Sequence, residues 1–277
     1  MKNEIKLIVS DIDGTILDSH HRLDPKLQKV VKLLKEQNIP LVLASARSPK
    51  GIIPLVKDLD MLEFPLVAYN GALIGYLEDE VFQVLSEQTI SGHELRCILD
   101  LLKKYFPTIS VNLYSGMDWL VATADQWVKS EAAITGETPY VCQLEEFVKK
   151  SPSVHKLLLI GDEAEIGSCF AFLQEQSFLE TSFYLSKSNY LEVTHKEVSK
   201  EQALHFLTDY YGLFLEQVMA VGDNFNDLPM LKAAGLGIAM GNAPEEVISQ
   251  VDTKTLSNDY HGVSTAIEKY VLLKIEN

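Results

Sequence analysis

The chain has 277 residues, 47% of them hydrophobic and 23% charged, enough to bury one large core or two modest ones. Its 39 acidic residues against 24 basic ones give a formal charge of -15, which argues against nucleic-acid backbones and anionic membranes as partners. No apolar stretch approaches the ~20 residues of a membrane span, and the opening MKNEIKLIVSD carries acids and only a short apolar run. Cys97, Cys142 and Cys169 are widely spaced, follow no metal-ligand pattern and read as buried small hydrophobes, so the expectation is a cytoplasmic protein.

Ile5–Ser10 is a short apolar run rich in branched residues, as expected of a strand buried on both faces. Asp24-Pro25 opens a helix, with Asp as N-cap, Pro at the first position, and Leu27, Val30, Val31 and Leu34 at helical spacing. Leu41–Ala44 is a second buried strand, Pro49 starts a second helix, and Leu66–Tyr69 is a third strand ending in the turn dipeptide Asn70-Gly71. Strand and helix alternate as in a parallel doubly wound sheet.

The rhythm then changes. Ala72–Gly75 and Val81–Leu85 read as a hairpin, and Ser91 with Glu94 as a capping box for the helix carrying Leu95, Ile98, Leu99 and Leu102. Strands at Ile109–Tyr114, Trp119–Ala122, His155–Ile160, Phe183–Leu185 and Tyr190–Val193 alternate with helices from Asp125 and near Glu165–Gln174. From Ser199, capped with Gln202, the first rhythm returns through strands Val218–Val221 and Leu236–Met240. The expected fold is α/β, a Rossmann-like doubly wound parallel-sheet core over 1–82 plus 190–277 with an inserted α+β domain over 83–189.

Ligands on open parallel sheets sit beyond the carboxyl ends of the strands. The predicted core strands run there into Asp11, Asp13 and Thr15, into Ser45, and into Asp223, Asn224, Asn226 and Asp227. One Asp after a strand is usually a turn or cap residue. Four converging carboxylates would repel one another and take up protons unless a cation joined them, and a hard divalent ion such as Mg²⁺ resolves that conflict. Asp11 and Asp13 lie two apart and point the same way in extended backbone, and Gly14 lets the chain turn behind them. One of the pair could hold a metal and act as nucleophile while the other moves a proton. Lys200, in the first turn of a helix, could meet an anion alongside the free N–H groups there. Asp162 in LLLIGDEAE also follows an apolar strand but lacks a later Asn-Asp pair, and reads as a turn or cap residue.

DIDGT, the SAR at Ser45, Lys200 opening a helix, and GDNFND together resemble the four motifs of the haloacid dehalogenase superfamily, in order and spacing. The insert after YNGA resembles that of the Cof-type subfamily, whose cap domain carries substrate specificity. The resemblance implies a Mg²⁺-dependent phosphatase acting on a small phosphorylated metabolite, a sugar or cofactor phosphate, through an aspartyl-phosphate. In that reading Asp11 attacks phosphorus, Asp13 protonates the leaving oxygen and then deprotonates water, and Ser45, Lys200 and Asn226 hold the phosphoryl group. Mg²⁺ is held by Asp11, the Asp13 backbone carbonyl and Asp223, and Asp227 orients either the metal's surroundings or Lys200. Arg47 touches substrate or pairs with an acid. The chain departs from the subfamily's usual TGR in having Ala46 within SAR, and Glu201 stands where Gly commonly follows the lysine. A phosphomutase and a catalytically weak phosphometabolite-binding regulator remain as rivals at this level, with the protein a monomer or homodimer.

Overall fold

The computed structural model describes residues 4–251 and 253–274. The chain opens with strand β1 (Leu7–Ser10), helix α1 (Pro25–Glu36), β2 (Leu41–Leu43), α2 (Pro49–Asp58) and β3 (Leu66–Ala68). A hairpin of β4 (Leu73–Glu78) and β5 (Val81–Glu87) follows. The insert carries α3 (Gly92–Tyr105), β6 (Ser110–Ser115), β7 (Asp118–Val121), α4 (Gln126–Thr135), β8 (Tyr140–Val141), α5 (Leu144–Val148), β9 (Lys156–Ile160), α6 (Glu163–Gln174), β10 (Thr181–Lys187) and β11 (Tyr190–His195). The chain closes with α7 (Lys200–Tyr210), β12 (Val218–Gly222), α8 (Leu228–Ala233), β13 (Leu236–Ala239), α9 (Glu245–Ile248), β14 (Thr253–Lys254) and α10 (Gly262–Tyr270). No helix among the described residues is long and apolar enough to cross a membrane.

The chain forms two compact units. Among the described residues, the first takes those up to Arg47, Ile52–Leu85 and those from Ser199 onward. Its sheet is parallel throughout, in the order β14-β13-β12-β1-β2. β1 is buried at all four positions and paired along both edges by β12 and β2, an interior setting that suits the uncharged LIVS. The order runs outward from β1 in both directions, so β1 and β12 straddle the switch point where open α/β sheets bind ligands. α1 begins as its sequence dictates: Asp24 accepts from the Lys26 N–H, Pro25 follows, and Leu27, Val30, Val31 and Leu34 are buried. Each of those side chains contributes about 1.5–3 kcal/mol relative to exposure.

β3 departs from expectation. It touches β2 through the parallel bridge Ala44–Val67, but its ladder is antiparallel to β4, within a separate sheet β3-β4-β5. The strand ends at Ala68 because Tyr69, Asn70 and Gly71 all take positive φ.

The second unit comprises Ser48–Gly51 and Ser86–Val198. Its sheet has the order β10-β11-β9-β6-β7-β8, antiparallel except for the β7–β8 pair. Leu95, Ile98 and Leu102 of α3 and Ile166, Cys169 and Leu173 of α6 pack with Leu113, Leu157, Leu159, Leu191 and Val193 of the strands. Burial pushes the Cys169 thiol up to about 12, so it stays an uncharged core residue. Because β11 pairs with β9 and β10, Tyr190–His195 belongs to this unit, and the division falls after Val198 instead of before Tyr190.

The expected capping box at Ser91 does not form: its side chain makes no cap bond. Glu94 turns away to accept from the Leu179 N–H at 2.7 Å and the Thr181 hydroxyl at 2.6 Å, tying α3 to the start of β10. Those donors outweigh its partial burial and hold its carboxyl below the ordinary value. Asp162 occupies the N-cap position of α6 without a side-chain cap bond.

Candidate active site

β1 and β12 are hydrogen-bonded neighbours, so the residues just past their carboxyl ends must meet. The Asp11 N–H continues the ladder to the Val221 carbonyl at 2.9 Å, which fixes Asp11 beside the loop that starts at Asp223. Gly14, at φ 76°, turns the chain back, and a Cβ there would lie 2.5 Å from Asp223 Oδ2. Oxygen atoms of Asp11, Asp223 and Asp227 thereby fall within 4.8 Å of one another. The Thr15 hydroxyl sits between two of them, 3.0 Å from Asp223 Oδ1 and 3.3 Å from Asp11 Oδ2.

Lys200 enters this cluster from α7. Ser199 caps that helix through the Gln202 N–H, and the lysine side chain is wholly buried. Its ammonium contacts Asp11 Oδ1 and lies 2.6 Å from Asp227 Oδ1. Asp227 is equally enclosed, and its second oxygen accepts from the Asp223 and Asn224 N–H groups at 2.9 and 3.0 Å. Both of its oxygens are therefore engaged, and it serves to hold Lys200 and to shape the GDNFND loop. A cation at a helix N-terminus opposes the helix dipole, and the two carboxylates offset that conflict.

Burial is the largest influence on Asp11 and pushes its carboxyl well up; Asp227 and Asp223 add to the effect, against the pull of Lys200. Burial and Asp227 likewise raise Asp223. Burial alone would depress the Lys200 ammonium, but Asp11 and Asp227 more than reverse it, so it remains charged. Three carboxylates against one ammonium leave two negative charges, the complement of one divalent cation, and all the donors are hard oxygens. The residues fit such an ion.

Asp13 lies apart from this cluster. It is half-exposed and gripped by Arg47, whose Nε and Nη2 stand 2.8 and 2.5 Å from its two oxygens, a bidentate pairing. Ser45 is buried at the end of β2, and its hydroxyl accepts from the Arg47 N–H at 3.2 Å. Asn226 is exposed and donates to Asn70 Oδ1 at 3.4 Å. Two asparagines escaped the sequence reading. Asn70 showed only as a turn dipeptide, and Asn242 gave no local signal, although it donates to the Gly14 carbonyl at 2.8 Å and so braces the DIDGT turn.

The profile of the haloacid dehalogenase-like hydrolase family matches residues 8–267. The chain belongs to that family. A Haemophilus influenzae protein named "Putative phosphatase" is 37% identical over 95% of this chain and 97% of its own. The 5-amino-6-(5-phospho-D-ribitylamino)uracil phosphatase YcsE of Bacillus subtilis is 27% identical over 97% of each chain. The crystal structure of a haloacid dehalogenase-like hydrolase from Bacteroides thetaiotaomicron superposes with a TM-score of 0.86 at 30% identity, covering 96% of this chain and 99% of that one. The protein is a phosphatase of this family, a phosphoric monoester hydrolase.

Gly14→Ala is expected to destabilise the fold by about 1–2 kcal/mol through its left-handed backbone alone, and further by displacing Asp223. Thermal unfolding measures this, and an unchanged midpoint would show that the turn is not constrained as described.

Proposed function

We propose that the protein hydrolyses a small phosphorylated metabolite, a sugar or cofactor phosphate, through a phosphoryl group carried on Asp11. The observation that carries this reading is a buried carboxylate at the sheet's switch point, touched by a buried lysine and lying two residues before an accessible carboxylate. Asp11 attacks phosphorus and forms the P–O bond as the bond to the leaving oxygen breaks. Asp13 gives that oxygen its proton, then takes one from the water that attacks the aspartyl-phosphate and releases inorganic phosphate. Arg47 grips both Asp13 oxygens, and an incoming phosphate offers Arg47 a competing anion. Lys200, Ser45 and Asn226 hold the phosphoryl oxygens, and the Lys200 charge counters the negative field of the chain as a whole.

Mg²⁺, held by the Asp11 carboxylate, the Asp13 backbone carbonyl and Asp223, would supply positive charge to the phosphoryl oxygens. Asp227 is assigned to Lys200 instead, because it is wholly enclosed, with one oxygen against the ammonium and the other already accepting from two backbone N–H groups. The second unit is read as the cap that selects the substrate, and the relative named for a phosphoribityl compound makes sugar-alcohol phosphates the first group to screen.

Purified protein is expected to hydrolyse p-nitrophenyl phosphate in the presence of Mg²⁺ and to lose at least about tenfold of that rate in EDTA. Re-addition of Mg²⁺ should restore it. Turnover indifferent to EDTA would remove the metal from the reading. Metal-dependent binding without turnover on a broad phosphate-ester panel would favour a regulatory role.

A further inference from the structure

The end of β3 is the most strained backbone beside the site. Tyr69, Asn70 and Gly71 have φ of 52°, 57° and 112°, three consecutive left-handed residues. Glycine adopts this region freely and asparagine tolerates it, but a tyrosine there is an outlier. Such strain persists only where the surroundings impose it. Here the Tyr69 N–H donates to the Arg47 carbonyl at 2.9 Å and the Asn70 N–H to the Ser45 carbonyl at 2.7 Å. The Tyr69 ring is buried, and a Cβ on Gly71 would lie 2.6 Å from the carbonyl oxygen of Ser199, the cap of the helix that carries Lys200.

The turn therefore joins the Ser45 loop to the first turn of α7, and its middle residue reaches a third part of the site. Asn70 Oδ1 accepts from the Asn226 side-chain amide. We infer that Asn70 is a positioning residue for the phosphate end of the site, holding the Asn226 amide in place while its backbone fixes Ser45. This rests on reading Asn226 and Ser45 as groups that hold the phosphoryl oxygens. The residue type follows from three demands met together. The position needs a left-handed conformation, a side-chain acceptor for the amide, and no charge beside an incoming phosphate dianion. Aspartate satisfies the first two and fails the third; glycine satisfies the first and third and lacks the acceptor.

Asn70→Gly is the discriminating variant, since it keeps the left-handed turn and removes only the side chain. Its KM for p-nitrophenyl phosphate and its inhibition constant for inorganic phosphate are expected to rise about fivefold to tenfold, the value of one lost hydrogen bond. The kcat should move less than about twofold, and the thermal midpoint should hold, which a merely structural role would not give. Asn226→Ala should raise both constants similarly, and Asn70→Gly/Asn226→Ala should add nothing beyond Asn226→Ala alone. Asn70→Asp should weaken phosphate inhibition more than Asn70→Gly does. Wild-type constants in Asn70→Gly, with Asn226→Ala impaired, would overturn the role of Asn70 alone. Multiplied effects in the double variant would overturn the coupling. Wild-type constants in Asn226→Ala would instead overturn the phosphate assignment of Asn226 on which the inference stands.

Discussion

Asp11→Asn is expected to lower turnover of p-nitrophenyl phosphate by about 10³-fold or more while leaving the protein folded. The substitution keeps shape and size but removes the anionic oxygen that the proposed mechanism uses to attack phosphorus. The surroundings also predict what happens to stability. Burial, Asp227 and Asp223 push the Asp11 carboxyl up, so in the absence of metal the folded state disfavours its ionised form. A carboxyl raised above its unfolded value adds stability below that value and loses the contribution as pH rises through the folded one. At neutral pH the buried Asp11 is therefore a liability, only partly offset by Lys200. Asn removes it. In EDTA, the Asp11→Asn midpoint should equal or exceed wild type at pH 7, and the difference should shrink as pH falls toward the ordinary carboxylate range. Full activity in this variant would sink the nucleophile assignment, and a large loss of stability would show that the Lys200 contact outweighs the crowding.

Much of this site was legible in the sequence because its parts hang from short, fully buried strands. LIVS and VMAVG read as strands of a sheet interior, and the structure places them so, which brings the acids that follow them out at one edge. Lys200 was legible by position but not by environment. A lysine at a helix start reads as a surface residue, and only the fold reveals that it is wholly enclosed between two acids. Arg47 had two open readings, substrate or acid, and the structure pairs it with Asp13, a contact across 34 positions that no local pattern encodes. Asp227 likewise had two roles open; one of its oxygens lies against the Lys200 ammonium and the other accepts from the Asp223 and Asn224 N–H groups, which favours the reading as the partner of Lys200.

What escaped is long-range or conformational. The third strand looked like a member of the parallel sheet because its composition is that of a buried strand, yet the hairpin behind it captures its ladder. The Glu94 capping box failed because a stronger set of donors arrives from residues far along the chain. Asn70 and Asn242 contribute through a backbone conformation and a contact to a carbonyl, neither of which leaves a spacing in the sequence.

The second large effect is expected at Lys200, where charge, burial and chemistry coincide. Lys200→Met fills the same space without the ammonium, so Asp11 and Asp227 are left buried with no cation. Breaking a buried pair in this way costs about 3–5 kcal/mol, because the partner carboxylates have already lost their water. In the wild type the raised Lys200 value means its contribution is complete at neutral pH and is lost only in strong alkali. In the variant the carboxylates must take up protons to be tolerated, so the deficit, measured by denaturant unfolding in EDTA, should grow from acid to neutral pH. Lys200→Met/Asp227→Asn should recover part of that stability, since one of the stranded charges is gone. Turnover should not recover. With about 10²–10³-fold expected to be lost from removing the charge proposed to face the phosphoryl group, neither variant should regain it by becoming easier to fold. A Lys200→Met protein of wild-type stability would mean the carboxylates find other partners, and rescue of activity in the double variant would mean that Lys200 serves only to keep Asp227 in place.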